Sequence, residues 1–174
     1  MLALPNRKRL LIALGIATVV LDLAVVQIDT VSLKHTGGPS ILGLELAGSA
    51  SRVEEIFAEW GAHGRYLARL SLWLDFSFMA AYGSFFALAA LATRDFAVAH
   101  GRRALAAAGK VAPACAIGAA LFDAAENVLW LLLLGGRGGD VAPPIATACA
   151  SIKFLLIALA ATYALWGLAA RLRR

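Results

Sequence analysis

Three polar side chains interrupt the third of four long apolar runs in this 174-residue sequence. Asp123, Glu126 and Asn127 lie within residues 111–134, a stretch that otherwise has the composition of a membrane-crossing helix. With Trp130 they fall at i, i+3, i+4 and i+7, which is one face of one helix. Two carboxyl groups on one face can act as a general acid and base or bind a cation. Asp123 and Glu126 are therefore the candidate catalytic residues.

Each of the other three apolar runs also carries an ionisable residue. Asp22 lies in the first run, Asp75 in the second and Lys153 in the fourth. A charge near the centre of a bilayer costs roughly 2.5–3.5 kcal/mol on insertion scales, so these side chains are expected to face protein or water. Ionisable residues inside a membrane commonly mark a functional site. Whether these residues form one site depends on how the four helices place them.

The composition predicts a single integral membrane domain over residues 1–174. Apolar residues make up 61% of the chain and the mean hydropathy is +0.78, whereas soluble domains contain about 45–50% apolar residues. A short amphipathic helix over residues 51–61, with Ser51 as its N-cap, is expected in the connection after the first span. We predict an all-α, four-helix membrane bundle with spans at residues 9–28, 66–91, 111–134 and 145–168.

The placement of basic residues predicts the orientation of the bundle. The chain has a net charge of +5, and its Lys and Arg residues flank the spans. With the N-terminus inside, five Lys and Arg residues lie on the outer side and ten of the sixteen lie on the inner side: Arg7, Lys8, Arg9, Arg94, Arg102, Arg103, Lys110, Arg171, Arg173 and Arg174. The positive-inside rule therefore predicts that both termini are inside and the amphipathic helix is outside.

The rise of an α-helix places ionisable residues of all four spans at similar depths. At 1.5 Å per residue, four of them are expected roughly 16–18 Å from the inner boundary: Asp22, Asp75, Asp123 and Lys153. Glu126 follows about one turn farther out. Four carboxyl groups and one ammonium would carry a charge of −3 if all were ionised, so the remainder must be protonated, hydrated or matched by a bound cation. The predicted binding residues are Asp22, Asp75, Tyr82, Asp123, Glu126, Asn127, Trp130 and Lys153.

The motifs argue against several other kinds of site. The glycine-rich stretch at residues 135–139 has no preceding strand and no following Lys-Ser or Lys-Thr, so it does not predict a nucleotide site. The sequence contains no metal-binding or cofactor motif. Cys115 and Cys149 are expected roughly 18 Å apart in neighbouring spans, which argues against a disulfide. The four spans leave no room for a nucleic-acid-binding domain.

Three short motifs resemble a group of small bacterial four-helix membrane proteins. These are Asp-x-x-Glu-Asn at residues 123–127, Trp-x-Asp-Phe at residues 73–76 and Lys-Phe at residues 153–154. The resemblance implies a bacterial cytoplasmic-membrane protein and brings no assigned activity with it. The long connection after the first span and the buried acids also resemble the EXPERA superfamily of sterol-isomerase relatives. In that superfamily the acids serve amphiphilic, often cationic species, but its motifs do not match this sequence residue by residue.

The leading functional hypothesis is a membrane protein whose acidic pocket binds a lipid-like or cationic amphiphilic ligand. In a second hypothesis, Asp123 and Glu126 are the acid and base of a membrane enzyme that acts on a lipid or isoprenoid. A proton-coupled carrier subunit would use the same carboxyl groups, although the sequence shows no internal repeat. In a structural membrane subunit, the polar side chains would only hold the helices together. The sequence leaves the oligomeric state open.

Overall fold

The structure, a computed structural model, describes residues 4–173, and its regular structure in that range is entirely helical. Four helices are long and apolar enough to cross a membrane, which confirms the all-α class and the number of long apolar helices. They are the first, third, fifth and sixth of six α-helices: α1 (Leu4–Thr36), α2 (Ile41–Glu45), α3 (Ala50–Ala99), α4 (Arg103–Ala108), α5 (Ala112–Leu134) and α6 (Ala142–Leu172). A 3₁₀ turn at Gly139–Val141 precedes α6. Arg174, one of the basic residues counted above, lies outside the described residues.

The four long helices are packed unequally. α3, α5 and α6 pack against one another, whereas α1 packs almost entirely against α3. No residue in the most apolar part of α1 is buried, so this helix forms one edge of the molecule. Arg7 near the start of α1 forms an ion pair with Asp95 near the end of α3, and Arg171 of α6 donates to the Ala92 carbonyl beside them. We refer to this end of the molecule as the basic end, and to the opposite end as the α2 end.

α3 consists of two helical segments joined at Gly61. This residue has a φ of 59° and a ψ of −163°, in the left-handed half of the backbone map that favours glycine. The segment before Gly61 corresponds to the predicted amphipathic helix. Its N-cap is Ser49, whose side chain accepts a hydrogen bond from the Arg52 amide, so the prediction of Ser51 as the N-cap was wrong. Ser51 lies inside the first turn, where its hydroxyl oxygen is 3.2 Å from that of Ser49.

The amphipathic segment of α3 closes the α2 end of the bundle. Its apolar residues Val53, Ile56 and Trp60 are buried, as the spacing of apolar residues predicts. They pack with Leu44 of α2 and with apolar side chains of α5. Trp60 Nε1 donates to the Pro39 carbonyl at 2.7 Å, which fastens the segment to the connection after α1. The segment is therefore a cap on the helices that carry the polar residues.

Two glycines allow α3 to approach its neighbours closely. A Cβ added at Gly167 of α6 would overlap the side chain of Thr93, which is 2% exposed. A Cβ added at Gly83 of α3 would lie 2.9 Å from Ala120 Cβ in α5. Small residues at such contacts bring helix backbones together, as they commonly do in membrane proteins.

We expect Gly167→Ala to lower the free energy of unfolding by about 1–3 kcal/mol, because the added methyl group overpacks the contact with Thr93. Gly118→Ala in α5 is the matched control, since its Cβ would meet only the end of the Leu156 side chain, at 3.3 Å. Thermal unfolding in a non-ionic detergent measures both variants. Equal midpoints for the two variants would contradict a close contact between α3 and α6.

Candidate functional site

Lys153 of α6 lies at the centre of a buried polar cluster. Its Nζ is 2.8 Å from Glu126 Oε2, 2.9 Å from Asp123 Oδ1 and 3.2 Å from Glu45 Oε1. The Lys153 side chain is 6% exposed and that of Glu126 is fully buried. The ammonium group is therefore surrounded by three carboxyl groups, two from α5 and one from α2.

Two aromatic side chains complete the contacts of the α5 carboxyl groups. The Tyr82 hydroxyl on α3 donates to Asp123 Oδ2 at 2.8 Å, and Trp130 Nε1 donates to Glu126 Oε1 at 3.1 Å. Trp130 reaches Glu126 because residues four apart are neighbours on a helix surface. Both oxygens of Asp123 and of Glu126 thus have a hydrogen-bond or ion-pair partner, and the contacts connect α3, α5 and α6 at this level.

A more open pair lies beside this centre. Asn127 Nδ2 donates to Asp75 Oδ2 at 2.7 Å and to the Leu72 carbonyl at 3.3 Å, which joins α5 to α3. Asn127 is 1% exposed, yet its Oδ1 has no hydrogen-bond partner within residues 4–173. Asp75 is partly exposed, and the ion pairs of Lys153 in the described part of the chain do not include it. Asp75 and Asn127 therefore have acceptor oxygens that the centre of the cluster does not use.

The cluster contains more acidic than basic groups. Its four carboxyl groups (Glu45, Asp75, Asp123 and Glu126) and the ammonium of Lys153 would leave a formal charge of −3 if all were ionised. Glu45 lies outside the long helices, and burial raises the pKa of its carboxyl group above the ordinary value, which the nearby Lys153 offsets only in part. Protonation of carboxyl groups or a bound cation would balance the charge. Within residues 4–173, no group of three His, Cys, Asp or Glu side chains is placed to hold a metal ion.

Asp22 does not join the cluster, contrary to the expectation of one layer shared by all four spans. Its side chain is exposed on α1. The reason is that α1 packs almost entirely against α3, and Asp22 lies off the side of α1 that makes this contact. Asp29, the other acid of α1, accepts a hydrogen bond from the Ile41 amide at 2.8 Å and so fixes the start of α2. The cluster brings together the other seven predicted binding residues: Asp75, Tyr82, Asp123, Glu126, Asn127, Trp130 and Lys153.

Glu45 is the cluster residue that the sequence pattern did not predict. Thr147 of α6 holds it in place, because the Thr147 hydroxyl donates to the Glu45 carbonyl at 2.8 Å and accepts from the Gly48 amide at 3.1 Å. A signal was present in the sequence, since Glu45 is the only charged residue between His35 and Arg52 and has leucines on both sides. A lone acid in an apolar connection can be as significant as an acid within a span.

Comparison with known proteins adds no assignment to this geometry. No protein-family model, curated protein or solved structure matches the chain. The resemblances to small bacterial four-helix proteins and to the EXPERA superfamily therefore stay predictions. The function has to be inferred from the chemistry of the cluster.

Proposed function

We propose that this chain is an integral protein of a bacterial cytoplasmic membrane that binds a lipid-like, cationic amphiphile at its buried acidic cluster. The observation that carries the proposal is the excess of carboxyl groups over ammonium groups, with Asp75 outside the ion pairs of Lys153. A cationic head group next to Asp75 would supply positive charge in addition to that of Lys153, whose ammonium group forms ion pairs with three other carboxyl groups.

The long helices support the membrane part of the proposal. Four of them have the length and composition of membrane-crossing helices. The excess of Lys and Arg at the basic end supports an orientation with both termini in the cytoplasm. In this orientation the cluster lies in the outer half of the bundle, and an amphiphile would reach it from the outer leaflet.

The Asp75 side of the cluster has the chemistry that a cationic head group requires. The Asp75 carboxylate and Asn127 Oδ1 are both acceptors, and the unpartnered Asn127 oxygen fits an N–H or hydroxyl donor of a ligand. Phe78 and Tyr82 follow Asp75 at i+3 and i+7 on the same face of α3, with ring centroids 5.1 Å apart. Aromatic faces attract ammonium groups, and their apolar surface suits the alkyl part of an amphiphile.

A purely structural role is the second candidate, and the closed centre of the cluster favours it. Lys153 has three carboxyl partners, and both oxygens of Asp123 and of Glu126 are engaged. Such a network can hold α2, α3, α5 and α6 together without a ligand. The two candidates differ in what they require of Asp75, because its hydrogen bond to Asn127 is enough for a structural role, whereas a cation site needs its negative charge.

Binding of a fluorescent dodecylammonium probe, whose primary ammonium group carries N–H donors, to the full chain in a non-ionic detergent tests the proposal. We expect Asp75→Asn to raise the Kd by about tenfold to a hundredfold, because contacts to charged groups contribute about 1.5–3 kcal/mol. Asp22→Asn is the matched control, since it removes an acid of the same type from the exposed surface of α1.

Two results would contradict cation binding at Asp75. One is an equal loss of affinity in Asp22→Asn, which would indicate attraction to the surface of the protein. The other is equal affinity for the probe and for an uncharged dodecanol analogue, which would indicate that the head group makes no contact. Either result, with both variants folded, would leave the structural role as the better explanation.

A further inference from the structure

A groove of about 810 Å³ runs along the half of the molecule nearer the basic end. It lies between α1 and α6, with α3 as its floor. Leu11 and Ile16 form part of one wall and Leu165 and Leu168 part of the other, while Phe85 lies on the floor. The groove shares no residue with the polar cluster, which lies toward the α2 end.

The groove exists because α1 packs against α3 and leaves α6 uncovered on that side. Small side chains widen it, since Ala161 and Ala164 line the α6 wall and Gly15 lies on α1. All of these residues belong to the long apolar helices. If the helices cross a bilayer, an acyl chain is the apolar material that is at hand to fill the groove.

A cationic side chain lies at one end of the groove. Arg171 is the charged residue among the described lining residues. Its Nη2 donates to the Ala92 carbonyl at 3.0 Å, and its guanidinium carbon lies 5.0 Å from the centre of the Phe96 ring. These contacts hold the guanidinium group at the mouth of the groove, while the side chain as a whole remains exposed. A guanidinium group has further donors that match a phosphate group.

We propose that the groove holds an acyl chain of an anionic phospholipid whose phosphate contacts Arg171. Basic residues beside clefts between membrane helices on the cytoplasmic side are suited to anionic head groups. Each methylene buried in the apolar groove adds to the affinity, and the guanidinium group selects for the negative head group. This inference rests on the proposed membrane insertion, and it is separate from the proposed cationic ligand at the acidic cluster.

Native mass spectrometry of the full chain, released from a non-ionic detergent, tests the inference. The protein is incubated with phosphatidylglycerol or with phosphatidylcholine of the same acyl chains. We expect the phosphatidylglycerol adduct to dominate, and we expect Arg171→Gln to weaken that adduct by about tenfold. Arg173→Gln is the matched control, because Arg173 lies at the same helix end and does not line the groove. Arg171→Lys, which retains the charge, should restore part of the preference.

A second variant tests the groove itself. Ala164→Phe places a large side chain in the groove and should reduce the adducts of both phospholipids, and Ala161→Leu is the milder substitute if Ala164→Phe does not fold. Equal adducts of the two phospholipids, or equal losses in Arg171→Gln and Arg173→Gln, would overturn the inference. A dimer that Ala164→Phe abolishes would also overturn it, because a second copy would then occupy the groove.

The alkylammonium probe is measured on the same samples. Loss of the phosphatidylglycerol preference with normal probe binding would overturn the groove inference alone. Loss of probe binding with a normal phosphatidylglycerol preference would overturn the proposed function alone.

Discussion

Replacing Lys153 with methionine is expected to lower the free energy of unfolding by about 3–5 kcal/mol. Methionine preserves much of the length and apolar surface of the lysine side chain, but it removes the ammonium group from contact with Asp123, Glu126 and Glu45. Three buried carboxyl groups would then face one another without a cation, which is the costly part of breaking a buried ion pair. Thermal unfolding in a non-ionic detergent, followed by circular dichroism, measures the loss.

Two further variants separate this effect from the general loss of a positive charge. Lys110→Met removes an exposed lysine between α4 and α5 and should leave the unfolding midpoint nearly unchanged. Combining Lys153→Met with Asp123→Asn should recover part of the lost stability, because one of the uncompensated acids becomes neutral. Unchanged stability in Lys153→Met alone would show that the buried ion pairs are not as described.

Replacing Trp130 with alanine is the second substitution with a large expected effect. We expect it to lower the free energy of unfolding by about 3–5 kcal/mol. Trp130 is fully buried and packs in the same apolar cluster as Leu44, Ile56 and Leu72, so its removal leaves a cavity where α2 and α3 meet α5. The change also removes the donor to Glu126 Oε1. The same unfolding experiment in detergent measures the loss.

Trp73→Ala is the matched control for the cavity, because Trp73 is 62% exposed on α3 and its removal leaves no buried space. Trp130→Phe keeps a buried aromatic ring, removes the donor to Glu126 and leaves a smaller cavity, and we expect it to lower the free energy of unfolding by about 1–3 kcal/mol. A loss in Trp73→Ala as large as that in Trp130→Ala would contradict the buried position of Trp130.

The number and type of the long helices could be predicted from sequence because apolar runs of this length have few alternatives. The spacing of Val53, Ile56 and Trp60 likewise predicts which side of the amphipathic segment is buried. Helix ends were less predictable, since polar residues can extend a helix beyond its apolar run. The apolar run of the first span ends near residue 28, for example, yet α1 continues to Thr36.

The cluster could be predicted only in part, because helical rise gives the depth of a side chain and not its direction. Helical rise predicts similar depths for Asp22 and Asp75, but only Asp75 points into the cluster, since α1 packs almost entirely against α3. Glu45 could not be placed by rise at all, because it lies in a connection. Its position depends on the bond of Asp29 to Ile41 before it, and on the bonds of Thr147 to its own carbonyl and to Gly48 after it.

The edge position of α1 also has a consequence for biosynthesis. The ribosome completes α1 before it has made Phe85, the α3 residue that lies against Gly15 of α1. During that interval α1 lacks the helix against which it packs, so that in the proposed membrane orientation only its own preference for hydrocarbon would retain it in the bilayer. If α1 crosses the membrane as proposed, its apolar run at residues 9–28 has to act as a self-sufficient anchor, and this run must tolerate the exposed Asp22 unaided while the rest of the chain is translated.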